Sequence, residues 1–211
     1  MVIRYTPCQG RGRALATHGR RAAATAGTRR GIIEAARELL ATREWQHFTI
    51  EAVASRAGVT RVTVYNQVRS KRGLLDAVLA DLVDRAGMDQ LLADTEHLSA
   101  GDACAEIVRR TCLFWHSERR LLRPLFGLAA VDHDVASILT QREEWRGNQM
   151  QRLVGRLTAE TTSEPSLDQA DVLAGVTAVT SFATYDALGA IADDPDRAAV
   201  LLNRVVRSLT G

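Results

Sequence analysis

Residues 48–75, FTIEAVASRAGVTRVTVYNQVRSKRGLL, leave the backbone few options. Thr49 has an N-cap side chain. Phe48 precedes it and Val53 stands four helical positions on, the spacing of a hydrophobic staple. The same grammar recurs with Val59, the cap Thr60 and Val64. Between the two predicted helices lies Ala57-Gly58-Val59. Glycine there admits a sharp turn with positive φ, and alanine lets two helices approach closely. This is the plan of a helix-turn-helix, with a third helix capped by Ser70 behind it.

The second of these helices, residues 60–67, carries no acid. Its expected outward side chains are Arg61, Thr63, Asn66 and Gln67. Arginine suits guanine, asparagine or glutamine suits adenine, and threonine suits a phosphate or a thymine methyl. Tyr65 offers a hydroxyl to a phosphate oxygen. Lys71 follows the cap Ser70, where free N–H groups and a cation can meet a DNA backbone. A plain helical hairpin with a solvated polar face would explain the caps but not this face chemistry.

Charge is placed accordingly. The chain has 211 residues and a net charge of only +2, yet residues 1–75 hold fourteen basic and four acidic side chains, leaving the remainder at −8. A basic front and an acidic back suit a DNA-binding head on a body that stays off DNA. Three cysteines are too few for a disulfide framework. Cys104 and Cys112 on one helix would stand about 12 Å apart, too far to bridge. No Cys/His spacing indicates zinc, and nothing indicates a cofactor. The expected setting is a reducing cytoplasm. The longest uncharged stretch, residues 172–185, is too short to span a membrane.

Residues 1–27 form an expected disordered basic arm, which could reach a minor groove, add phosphate attraction or remain a tail. A first helix over residues 28–43 presents Ile32, Ile33, Ala36, Leu39 and Leu40 as one stripe, with Trp45 plugging its far end. It completes a three-helix head over residues 28–75. The body, residues 76–211, shows helical periodicity and no strand pattern, so the fold class is all-α. Its expected helices continue from 74 to 88, then run through Cys104, Ile107, Val108, Thr111, Cys112 and Trp115. Pro124 marks a bend. A long helix with Val135, Ile138, Leu139, Trp145 and Leu153 ends near Glu160. Two more cover 168–192 and 196–209.

Residues 28–79 resemble the N-terminal domain of the tetracycline-repressor (TetR) family of bacterial transcription regulators. The resemblance rests on Ile33, Ala35-Ala36, Leu39, Thr49, Val53-Ala54, Ala57-Gly58-Val59, Thr63, Tyr65, Lys71 and Leu74-Leu75. It implies that Thr49, Thr60, Arg61, Thr63, Tyr65 and Lys71 touch double-stranded DNA, with Lys71 and Tyr65 on phosphates and Arg61 and Thr63 on bases. Three positions depart from the family pattern. Glu44 replaces the usual glycine, Val68 a usual phenylalanine, and Val62 a usual small residue, which changes the bases that can be approached.

The stretch 172–185 has no charge on any face, so it should be buried on more than one side. One side packs on the body. The other, with Gly175 and Val179, is expected to meet a second subunit together with Leu202, Val206 and Leu209. The resemblance implies the same dimer. It also implies a small-molecule effector pocket in the body. Trp115, Phe126, Trp145 and Phe182 are candidate walls, and Thr180, Thr184 and Tyr185 candidate polar points. Arg142 falls on an apolar stripe, where a charge needs a partner such as a ligand carboxylate or Glu118. The expected function is a repressor that binds a palindromic operator as a homodimer and is released by a ligand. Two alternatives remain open. One is an all-α enzyme using His116, Asp132, His133 and Asp134; the other is a DNA-binding interaction module without a ligand.

Overall fold

The computed structural model describes residues 11–42, 48–160 and 167–210. The described residues form ten α-helices and one 3₁₀ turn. The first, α1, is Arg11–Ala41. It begins well before Thr28, so residues 11–27 extend the first helix rather than forming an unstructured arm. Alanine and arginine dominate this segment, and both favour helix. Residues 1–10, and with them Cys8, lie outside the described residues, as do Glu44, Trp45 and Pro165.

The head is α1 with α2, Ile50–Arg56, and α3, Arg61–Val68. Ile32, Ala36 and Leu40 of α1 are fully buried against Phe48, Val53 and Val64, so both staples sit in one core. Gly58 has φ +66, the left-handed conformation the turn needs. Val68, smaller than the family's aromatic residue, is buried as well.

Helix α4, Lys71–Arg85, belongs to both parts of the molecule. Its buried residues Leu74, Leu75, Val78, Leu79 and Leu82 pack on α1 on one side and on α7 on the other. A short α5, Leu91–Asp94, was not legible in the sequence. Helix α6, Ala100–Leu128, continues through Pro124 without a break. Leu121, Leu122 and Leu125 are buried on both flanks of the proline, while Arg120, whose carbonyl loses its partner, is exposed. Helix α7 is His133–Glu160.

The expected single helix over 168–192 is broken. It consists of α8, Gln169–Val179, and α9, Phe182–Ala187, followed by a 3₁₀ turn at Gly189–Asp193. Side chains make the break. Ser181 accepts a hydrogen bond from the Thr184 N–H as the N-cap of α9, and the Thr180 hydroxyl bonds back to the Val176 carbonyl. The last helix, α10, Pro195–Thr210, lies on α6 and α8.

Candidate functional site: a nucleic-acid interface and a cavity in the body

Two features of the structure can carry function, one on the head and one inside the body. On the head, the caps act as expected. The Thr49 hydroxyl accepts from the Ala52 N–H, Thr60 from the Thr63 N–H and Ser70 from the Gly73 N–H, each at 3.0–3.1 Å. These bonds fix where α2, α3 and α4 begin, and so fix the aim of α3. Arg61, Val62, Tyr65 and Asn66 are exposed along α3, and Thr63 and Gln67 are half-buried. Lys71 is exposed at the start of α4, its ammonium 5.6 Å from the centre of the Phe48 ring. The DNA-facing residues expected from the sequence thus share the cap-and-helix surface of α2, α3 and the start of α4.

The most specific of them is already held in place. An Arg61 guanidinium nitrogen lies 2.7 Å from the Glu51 carboxylate, and the group sits 5.4 Å from the Tyr65 ring centre. Hydrogen bonding to Tyr65 and the charge of Glu51 raise its pKa above the ordinary value. The arginine is aligned along α3 before any partner arrives. Val62, 66% exposed, is the one large apolar side chain that α3 leaves so open, and is suited to a thymine methyl.

Inside the body lies a cavity of about 80 Å³. Leu79, Leu82 and Val83 of α4 form one wall, and Met88, Leu91 and Leu92 close an end. From α6 come Ile107, Thr111, Phe114, Trp115 and Phe126; from α7 come Leu139, Arg142, Glu143, Trp145, Arg146 and Gln149. Of the expected ligand contacts, Trp115, Phe126, Arg142 and Trp145 line it. Phe182 does not. It stands behind the wall, edge-on to Trp115 at 5.6 Å and 4.9 Å from Phe126, holding both rings. Thr180 and Thr184 are also outside the lining, because both are spent on the break between α8 and α9. The Thr184 hydroxyl donates to the Ala178 carbonyl at 2.7 Å. Tyr185 is wholly buried, its hydroxyl donating to the Ala192 carbonyl, and burial pushes its pKa to about 12.

The arginines divide differently from the expectation. Arg142 is paired with Asp76 of α4, at 2.6 Å to the carboxylate and 3.2 Å to the backbone carbonyl. Glu118 is instead the partner of Arg37 on α1. The buried arginine is Arg146, one turn on, which follows Leu139 by seven residues and lies on the same stripe. It donates to Glu143, to the Thr180 hydroxyl at 2.8 Å and to the Thr177 carbonyl at 2.9 Å. The Trp115 indole N–H donates to the Thr180 carbonyl at 3.0 Å. A cation and two donors therefore close the C-terminus of α8, where carbonyls lack intrahelical partners.

The expected dimer residues need correction too. Leu202 and Val206 are 4% and 1% exposed because α10 packs on α6 and α8 within the subunit. Gly175 abuts Leu209 of the same chain, and Val179 is half-buried. The α10 stripe was assigned to the wrong neighbour. Its apolar face had to satisfy this body first. The side chains it leaves outside are Val200, Leu201 and Val205. On α8 the exposed residues are Ala170, Ala174 and Ala178, with Gln169 and Asp171 at its start.

The residues of the enzyme alternative do not converge. Asp132 caps α7 by accepting from the Asp134 and Val135 N–H groups, and His116 is bonded to the Ala192 carbonyl. Among the described residues no cluster of three or more His, Cys, Asp or Glu could hold a metal. Burial pushes Cys104 to about 11 and Cys112 to about 12, so neither is a nucleophile at neutral pH. Among the described residues no helix is long and apolar enough to cross a membrane.

A family model described as bacterial regulatory proteins of the tetR family matches residues 32–78, the span of the head and the first half of α4. Over these residues the chain is similar to the tetR family. It is 32% identical over 112 residues to the HTH-type transcriptional regulator AlkX of Mycobacterium tuberculosis, covering 53% of this chain and 47% of that one. It is 27% identical over 117 residues to the HTH-type regulator YvkB of Bacillus subtilis, covering 54% and 59%. The match thus spans about half the length of these curated relatives. Beyond the head, the TetR-family likeness is one of fold. A TetR-family regulator from Rhodococcus sp. superimposes with a TM-score of 0.70 at 18% identity, over 87% of this chain and 98% of that one. A transcriptional regulator from Saccharomonospora viridis, solved in complex with choline, gives 0.63 at 16% identity, over 86% and 96%.

Proposed function

We propose that this protein is a ligand-responsive repressor of the TetR family. It binds a palindromic operator as a homodimer through α3 and is released when a small molecule enters the body cavity. One observation carries the reading: α4 is at once a wall of the cavity and a part of the head. Leu79, Leu82 and Val83 border the cavity, while Lys71 to Leu75, two turns earlier, set the end of α3. Arg142 adds a second link, since it lines the cavity and grips Asp76 on α4. A ligand lowers DNA affinity only if it binds the released arrangement more tightly. A guest that pushes on α4 or draws Arg142 from Asp76 meets that condition.

The surface of α8 and α10 that carries Ala170, Ala174, Ala178, Leu201 and Val205 is the proposed dimer face. Small residues on one helix and branched apolar ones on the next suit close helix packing. The working place of such a protein is the cytoplasm, where the DNA lies. The division into head, residues 28–75, and body, residues 76–211, follows from the same reading, with α4 shared between them. Duplex binding over a range of salt, for the native protein and for Arg61→Ala and Tyr65→Ala, is the test. Weaker binding in both variants, with a shallower salt dependence in Arg61→Ala, supports it. Unchanged binding refutes it.

A further inference from the structure

The cavity's own chemistry narrows what can enter it. Its charged groups are few, and each is committed. Arg142 is paired with Asp76, and Arg146 with Glu143, Thr180 and the end of α8. Two cations thus face two carboxylates. An anionic guest would have to displace one carboxylate and leave it without its arginine. A cationic guest would have to take Glu143 from Arg146, itself only 8% exposed. The second leaves a buried guanidinium without its partner; the first breaks a short ion pair, 2.6 Å between Arg142 and Asp76.

One polar group in the wall is different. Thr111 lines the cavity from the middle of α6, the residue is 3% exposed, and its hydroxyl oxygen is buried with no hydrogen-bond partner. Buried hydroxyls are nearly always satisfied, and an orphan beside an apolar space is a place for a ligand atom. The half-buried Gln149 amide, also neutral, borders the same space from α7.

Resting on the proposed effector site, we infer that its ligand is an uncharged, largely apolar molecule with one hydrogen-bonding oxygen, such as an alcohol or ketone, which meets Thr111. The hydroxyl donates to that oxygen or accepts from it, and the alkyl or aromatic remainder lies against Trp115, Phe126 and Trp145. No charge pair is opened.

The test uses four probes that share one tail: decan-1-ol, decane, decanoate and decyltrimethylammonium, each below its micelle-forming concentration. Binding to the full chain without DNA is read by tryptophan fluorescence, since Trp115 and Trp145 both line the cavity. Decan-1-ol is expected to bind at least about tenfold more tightly than either ionic probe. Thr111→Val, which keeps the shape and removes the hydroxyl, should weaken decan-1-ol about tenfold and leave decane unchanged. Thr111→Ser should restore the alcohol. The inference is overturned if decanoate or the ammonium binds as tightly as the alcohol, if Thr111→Val leaves the alcohol unaffected, or if no probe binds. The effector reading is tested apart from this, by adding decan-1-ol to the protein–duplex complex. Tight binding at Thr111 with no loss of DNA affinity would sink the switch and leave the ligand class standing.

Discussion

Gly73, in the first turn of α4, holds the head's geometry at its tightest point. A Cβ built there would lie 2.1 Å from the Val68 carbonyl oxygen and 3.3 Å from its carbon. To reach even 3.0 Å, backbone must retreat by about 0.9 Å. The obstacle cannot swing away as a side chain would. The Val68 carbonyl accepts the Ser70 N–H at 2.8 Å, and Arg69 beside it already holds a positive φ of 66°. Helix propensity favours alanine over glycine by about 0.8–1 kcal/mol. Overpacking typically costs about 1–3 kcal/mol, occasionally more, and an obstacle made of backbone puts Gly73 at the top of that range. Gly73→Ala should therefore destabilise by about 1–3 kcal/mol, a fall in Tm of roughly 3–10 °C for a chain of this size. Gly127 of α6 is the matched control, since a Cβ there meets nothing within 4 Å. Gly127→Ala should stabilise by up to about 1 kcal/mol. Urea and thermal unfolding followed by circular dichroism give both values. A neutral or stabilising Gly73→Ala would refute the claim that α3 and α4 meet in contact at this turn.

Further outcomes follow from named contacts. Removing the charge that holds Arg61, with Glu51→Gln, should raise duplex affinity about two- to fivefold at low salt, an effect that fades as salt rises; anisotropy titration measures it. Burial opposes ionisation of Asp186, but hydrogen bonds from Arg123 and Arg119 outweigh it and leave its pKa below the ordinary value. Its stabilisation is present above the ordinary carboxylate range and lost as pH falls through the depressed value. Asp186→Asn should thus lower Tm by about 2–4 °C at pH 7, and the gap to the native protein should close in acid. Cys104 and Cys112 should resist a thiol reagent at pH 8 in the folded protein and react on unfolding, as timed by mass spectrometry; rapid native labelling would contradict their burial.

The head was legible because its signals are local. Caps, staples and a glycine turn each act within five residues, and Thr49, Val53, Gly58, Thr60 and Val64 do what their spacing implies. The extent of α1 was misjudged because net basic charge was weighed above the alanine content of residues 14–26. In the body the period located the helices but not their neighbours. Leu202 and Val206 form an apolar face that packs equally well on a partner or on α6, and periodicity does not distinguish the two. The break at Thr180-Ser181 did have a local signal, a serine cap three residues before Thr184, masked by the apolar run around it. Arg142 drew attention as a charge on a stripe, yet Arg146 lies further along that stripe and is the one buried. In the sequence Thr111 is one more residue of α6; only the packing of α4, α6 and α7 together leaves its hydroxyl without a partner beside a cavity.

The central claim is that α3 of two subunits meets DNA as a symmetric pair. Selection of bound sequences from random duplex DNA tests it most directly. The account predicts enrichment of a palindrome whose half-sites lie about 34–36 Å apart, or a multiple of that, and loss of the enrichment in Arg61→Ala. No enriched sequence, an asymmetric one, or the same sequence recovered with Arg61→Ala would contradict it.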